Sequence, residues 1–357
     1  MADFNIAGKV QTVLGPAAPV ELGITLTHEH LLIDMSPVFE APEQAGAKGF
    51  YYEPVSIETV GRIRHWGVRN LDNVQLTDVD TAIDEANIFK QYGGGSLVDA
   101  TSIGIKRDAE GLARISRATG VNIVMGASYY VDAAHPANMD DLSEDDLVRQ
   151  IVSDVTDGVD GTPYRSGVIG EVGCSWPLMP NERKALRASA RAQRITGAPI
   201  LIHPGRDETA PLEIIEVLRE AGADLERTII GHLDRTVFLH DTLQKIAESG
   251  CYMEWDLFGS EESYYGANPA IDMPGDGKRM DDIAWIAAQG YEHKILVAHD
   301  ICTKNRLERY GGHGYAYILG RIVPRMRARG FSQEAIDSIL VGNPANALTF
   351  SEPEETK

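Results

Sequence analysis

Cysteine is scarce in this sequence, and its scarcity excludes a class of folds. Three cysteines, Cys174, Cys251 and Cys302, are scattered over 357 residues without Cys-x-x-Cys spacing. An odd, sparse set argues against a disulfide framework and for a reducing compartment. Positive charge is also short: 33 Lys and Arg stand against 53 Asp and Glu, a formal net charge of -20. That balance argues against nucleic acid or an anionic membrane as partner. No apolar run is long enough to span a bilayer. Residues 1–15 lack the apolar segment of a signal peptide and a twin arginine. The expectation is a cytoplasmic protein. Gly93-Gly94-Gly95 is not a phosphate loop, because no Gly-Lys-Ser/Thr follows; it reads as a helix stop.

What is present is ordinary globular composition, 43% hydrophobic and 24% charged, and a regular alternation of elements. Gly8 to Leu22 reads as a short N-terminal hairpin turning at Gly15-Pro16. Strands are expected at 24–32, 96–101, 122–130, 167–174, 199–203, 228–233, 251–257 and 295–300. Helices are expected at 80–92, 108–119, 143–157 (with Ser143 as N-cap), 181–196, 210–221, 237–249, 279–288 and 315–329. A tail helix at 333–340 and a turn at 344–348 follow, and Pro37 to Asn70 is irregular. Eight strand–helix units predict an α/β fold, a (β/α)8 TIM barrel, as one domain over residues 1–357.

Active sites of such barrels lie at the C-terminal ends of the strands. The first strand ends in Thr27-His28-Glu29-His30; residues two apart share a face, so His28 and His30 project together and Glu29 points away. Two imidazoles on one strand are half of a divalent-metal site. Four later strand ends match it. Glu171 sits among apolar residues, where a lone carboxylate is costly unless paired or metal-bound. His203 ends the fifth strand, His232 the sixth, and His299-Asp300 the eighth.

These residues resemble the amidohydrolase superfamily, most of all its phosphotriesterase family and the phosphotriesterase-related proteins within it. The segments 27–32, 169–174, 203–206, 231–235 and 298–300 carry the likeness, together with Asp272-Met273-Pro274 and Tyr310-Gly311-Gly312-His313-Gly314. The resemblance implies an amidohydrolase-type barrel with two divalent metal ions, zinc by type. It implies that His28, His30 and Asp300 hold the buried ion, His203 and His232 the exposed one, and that Glu171 bridges them. It also implies a hydroxide, held between the two ions, that attacks a carbonyl carbon, with Asp300 as ligand and proton carrier. Organophosphate hydrolases and lactonases of the family carry a carboxylated lysine where this chain has Glu171, which counts against phosphotriester hydrolysis. A homodimer is the family expectation. His299, facing away from Asp300, reads as structural or as a support behind the ligands.

The substrate is less legible. Arg206, Arg235, Lys304 and Arg306 follow strand ends on an otherwise acidic chain, which suggests a small anionic substrate. The alternative is that they bridge loop carboxylates such as Asp207, Asp234 and Asp256. Trp176, Trp255, Tyr264 and Tyr265 could wall a small pocket or merely pack, and His313 could face substrate. The favoured activity is amide hydrolysis, of an N-acyl amino acid or N-acyltaurine-like compound. A lactone or carboxylic ester is second and a phosphoester third. A ligand-binding protein without turnover is the reading from another class.

Overall fold

The computed structural model describes residues 5–39, 41, 46, 48–65, 67–261, 265 and 268–354. In chain order its strands are β1 (Val10–Thr12), β2 (Gly15–Ala17), β3 (Ile24–Glu29), β4 (Ile33–Asp34), β5 (Gln75–Leu76), β6 (Gly94–Asp99), β7 (Asn122–Ala127) and β8 (Val168–Gly173). They continue with β9 (Ile200–His203), β10 (Thr228–Ile230), β11 (Tyr252–Trp255) and β12 (Ile295–Val297). Eight form one parallel sheet in the order β12-β11-β10-β9-β8-β7-β6-β3. The two ends of that sheet meet where the Asp300 N–H donates to the His28 carbonyl at 3.0 Å. The fold is the (β/α)8 barrel that the alternation predicts.

Alternation along each strand separates two apolar layers. Val98, Val124, Val168, Leu201, Ile229, Tyr252 and Leu296 share one cluster with Val10, Leu22, Ala347 and Leu348. This is the filling of the barrel axis, with the hairpin and the last helix packed on it. Their strand neighbours Leu97, Ile123, Ile169, Ile200, Ile230, Ile295 and Val297 pack instead with residues of the surrounding helices.

Two of the sheet's bulges break that alternation next to the site. Between Leu26 and Glu29, β3 carries one residue more than β6 opposite it; between Ile169 and Val172, β8 carries one more than β9. Leu26 and Ile169 both pack on the helix side. An extra residue shifts everything after it to the other face, so His28, His30 and Glu171 turn toward the axis. A plain strand would have aimed all three at the helices.

Several boundaries differ from expectation. The hairpin turns at Val13-Leu14, since Thr12 pairs with Gly15. A helix runs over Asn343–Leu348 rather than a turn, and the irregular 37–70 stretch holds short helices at Lys48–Tyr52 and Val60–Ile63. After the sixth barrel strand a short helix at Leu233–Thr236 precedes the longer one that starts at His240, and the helix after the seventh reaches back to Asp276. The stretch from residue 315 enters its helix through a π-turn at Ile318–Ile322. Ser143 caps Glu144–Thr156 by accepting from the Asp146 N–H. No helix among the described residues is long and apolar enough to cross a membrane.

Candidate metal centre

Five strand ends bring His28, His30, Glu171, His203, His232 and Asp300 to one point. Glu171 is at the centre. Its Oε2 lies 2.7 Å from His203 Nδ1, 3.4 Å from His28 Nε2 and 3.6 Å from His232 Nε2, and its Oε1 lies 3.2 Å from His30 Nε2. Asp300 Oδ1 is 3.3 Å from His30 Nε2 and 4.0 Å from His28 Nε2. The His203 Nδ1 and His232 Nε2 atoms are 2.9 Å apart. The histidines and Glu171 are buried, and Asp300, 15% exposed at its side chain, is the member nearest solvent. Two members stand in left-handed backbone, His232 at φ 53° and Asp300 at φ 51°, a conformation that non-glycine residues adopt at a cost and that gathers at functional sites.

The outer ring nitrogens set the tautomers. Asp256 lies against His232 Nδ1 (2.8 Å) and His28 Nδ1 (3.0 Å), and Glu254 against His28 Nδ1 at 3.2 Å. Thr101 Oγ1 donates to the Leu32 carbonyl and so accepts from His30 Nδ1 at 2.9 Å. An ionised carboxylate only accepts. In the neutral form that a metal requires, His28, His30 and His232 would therefore keep their proton on Nδ1 and offer the Nε2 lone pair inward. The buried His28 Nε2 has no hydrogen-bond partner. Gly231 makes the double contact of Asp256 possible: a Cβ there would lie 2.9 Å from the Asp256 carboxylate and 3.2 Å from His28 Nδ1.

Electrostatics follow from this crowding. Burial presses His30 toward neutrality, but Asp300 and Glu171 raise its pKa to about 10. Burial also opposes protonation of His28 and His232, but Asp256 and Glu171 together outweigh it and raise both pKa values. At His203 burial wins over Glu171, and the pKa falls to about 3. Burial would lift the Glu171 pKa, but the surrounding histidines hold it well below the usual range. Protons on the imidazoles thus balance the carboxylates where cations would do so.

The donor set suits divalent metal. His28, His30 and Asp300 each offer an atom within 4.8 Å of the others, as do His28, Glu171 and His232. Mixed imidazole and carboxylate donors are those of zinc and its neighbours. His203 differs from the other three histidines. Its Nε2 accepts from Arg235 at 3.2 Å, so its proton is on Nδ1, donated to Glu171. Ligation through Nδ1 would displace that proton.

The remaining candidates lie around the mouth. Arg235 is buried, and its guanidinium donates to the Pro204 carbonyl, Thr236 Oγ1 and His203 Nε2. Arg206 Nε donates to the Tyr265 hydroxyl at 2.7 Å. Lys304 is paired with Asp72 at 2.7 Å. Arg306 donates to the Asp300 and His299 carbonyls and to His313 Nε2. His313 donates from Nδ1 to the Gly314 carbonyl, so both of its ring nitrogens are engaged.

The loop carboxylates considered as partners for these cations bind elsewhere. Asp207 caps Thr209, Asp234 holds Arg279, and Asp256 holds the histidines. Trp255 is buried in the core, not in a pocket wall; Trp176 is exposed, and Tyr264 lies outside the described residues. His299 donates from Nδ1 to Glu29 at 2.7 Å and accepts from the Ile318 N–H, on the far side from the centre. Sequence reasoning missed Asp256, Glu254 and Tyr130, whose ring lies 5.1 Å from that of His203. The signal for the first two was present: Glu254-Trp255-Asp256 puts two carboxylates on one face of a buried strand.

The chain is similar to known proteins over nearly its whole length. The model of the "Phosphotriesterase family" matches residues 8–348. A phosphotriesterase-related protein of Nematostella vectensis is 47% identical, over 96% of this chain and 99% of its own. An N-acetyltaurine hydrolase of Xenopus tropicalis is 45% identical, over 97% and 99%. Among solved structures, a resiniferatoxin-binding protein from Rhodobacter sphaeroides superposes with a TM-score of 0.91 at 36% identity, covering 96% of this chain and 95% of its own. The chain belongs to the phosphotriesterase family, and it is an enzyme of that family.

Proposed function

We propose that the enzyme is a binuclear, zinc-type hydrolase of a small anionic amide, an N-acyl amino acid or N-acyltaurine. The observation that carries this is the convergence of four imidazoles and Asp300 on the single carboxylate of Glu171. His28, His30 and Asp300 would hold one ion, His203 and His232 the other, with Glu171 between them. Two divalent ions supply a water of lowered pKa and polarise the substrate carbonyl. Asp256 keeps two imidazoles in the tautomer that presents Nε2. Asp300, the most exposed of the six, takes the proton of the attacking water and delivers it to the leaving amine. The similarity to N-acetyltaurine hydrolases supports an amide over a lactone or phosphoester. A second reading, ligand binding without turnover, draws on the likeness to the resiniferatoxin-binding protein. We propose further that the whole chain acts as one domain, as a cytoplasmic homodimer. The test is a hydrolysis panel of N-acetyltaurine, N-acetyl amino acids, lactones and a phosphotriester, with zinc and with chelator. Release of the free amine, lost on chelation, is the expected result. Retention of every compound unchanged would overturn the hydrolase reading in favour of binding.

A further inference from the structure

Of the four cations at the mouth, three are already engaged. Lys304 is neutralised by Asp72, Arg306 holds two main-chain carbonyls, and both terminal nitrogens of Arg235 have protein acceptors. Arg206 is different. Its guanidinium uses only Nε, on the Tyr265 hydroxyl, and its Cζ lies 5.8 Å from the Tyr265 ring centroid. Among the described residues no carboxylate lies within 4.0 Å of it, and its two terminal nitrogens have no partner. The side chain is only partly buried, so this open fork of N–H donors stays within reach of an anion arriving from the mouth.

The site is also built to hold Arg206 still. Gly205 packs so closely on the loop after β8 that a Cβ would lie 2.5 Å from the Ser175 carbonyl and 2.8 Å from Trp176. Asn268 donates to the Arg206 carbonyl at 3.4 Å. Three residues before it, His203 reaches Glu171. A bound anion would therefore sit beside the candidate metal centre, on the side of β9.

We propose that Arg206, fixed by Tyr265, is the subsite for the substrate's anionic end, taking two oxygens of a sulfonate or carboxylate on its two terminal nitrogens. A guanidinium presents that fork to planar or tetrahedral oxyanions, and locking it in place leaves little entropy to lose on binding. Tyr265 is then a positioning residue, and Arg235, Lys304 and Arg306 are not part of the subsite. The inference rests on the reading of the enzyme as an amide hydrolase, and its test separates the two.

Arg206→Met, Arg206→Lys and Tyr265→Phe would be compared with the parent enzyme on an N-acyltaurine, an N-acyl-β-alanine and the same acyl group on uncharged ethylamine. Arg206→Met should lower the preference for the anionic compounds over the neutral one, as the ratio of kcat/KM values, by at least about tenfold. That equals about 1.4 kcal/mol. The change should fall in KM, Arg206→Lys should recover part of it, and Tyr265→Phe should show a smaller shift of the same sign. The acid that loses more is the one the site was built for. Equal losses on charged and neutral compounds would overturn the subsite and leave the hydrolase reading standing. If the parent enzyme turns over none of them, the hydrolase reading fails and calorimetry with the same compounds decides. Binding of an anionic compound that weakens about tenfold in Arg206→Met upholds the subsite, and no binding to the parent overturns it.

Discussion

Asp256→Asn is the perturbation that isolates the geometry of the centre from its ligands. Asp256 Oδ1 receives the His232 Nδ1–H, while Oδ2 receives the His232 N–H at 2.8 Å and faces His28 Nδ1 at 3.0 Å. Asparagine preserves the volume but offers one acceptor atom. Its cheaper orientation keeps oxygen at the Oδ2 position, where two donors meet, and places NH2 against the His232 Nδ1–H. Two buried donors then face each other, which costs about 1–3 kcal/mol. The alternative, in which His232 surrenders its Nδ1 proton, moves that proton to Nε2 and blocks the inward lone pair. Either way the loss falls on metal retention, which for such outer partners typically amounts to about 10–100-fold. Competition against a chromophoric chelator measures it directly, with far-UV circular dichroism as a check that the barrel persists. A variant that binds metal within about threefold of the parent would refute the assignment of Asp256 as the residue that orients both rings.

Further outcomes follow from the same contacts. Lys304→Met should cost less than about 1 kcal/mol by denaturant unfolding and leave turnover nearly unchanged, because the Lys304–Asp72 pair is partly solvated and away from the ligands. Arg306→Met, by contrast, releases the carbonyls of His299 and Asp300 and should lower kcat more than KM, with Arg306→Lys recovering little. In metal-free protein His30 has its pKa raised to about 10 by Asp300 and Glu171 against burial, so its stabilisation is complete below pH 6.5 and is lost as pH rises toward 10. Thermal unfolding of apo-protein should therefore weaken over that interval, and metal should flatten the dependence. Reconstitution of apo-protein should proceed at a rate indifferent to bicarbonate, since Glu171 already carries its carboxylate; marked acceleration would point to a carboxylated lysine in the site.

The positions of the candidate ligands were legible because each stands at the same place in its strand–helix unit. His28, Glu171, His203, His232 and Asp300 are recognisable by type and position alone. Their direction was not legible. Strict alternation makes His28 a partner of Leu26 and Glu171 a partner of Ile169, both on the helix side, and only the two bulges turn them inward. A bulge is a relation between two strands, and one strand's sequence does not record it. The same limit explains the cations. Arg206, Arg235, Lys304 and Arg306 look alike along the chain, and what separates them is the partner each finds: a tyrosine, a histidine, Asp72 or two carbonyls. Asp256 was passed over because its likeness to a loop carboxylate hid its place on the inward face of β11's end.

Central to this account is that Glu171 joins two metal ions. Elemental analysis of the purified protein, supplied with zinc and assayed in the same sample, tests it most directly, with Glu171→Gln alongside. The account predicts close to two equivalents per chain in active enzyme, and loss of at least one equivalent together with most of the turnover in the variant. Active enzyme with metal near zero, or a Glu171→Gln protein that keeps both ions and its rate, would contradict it.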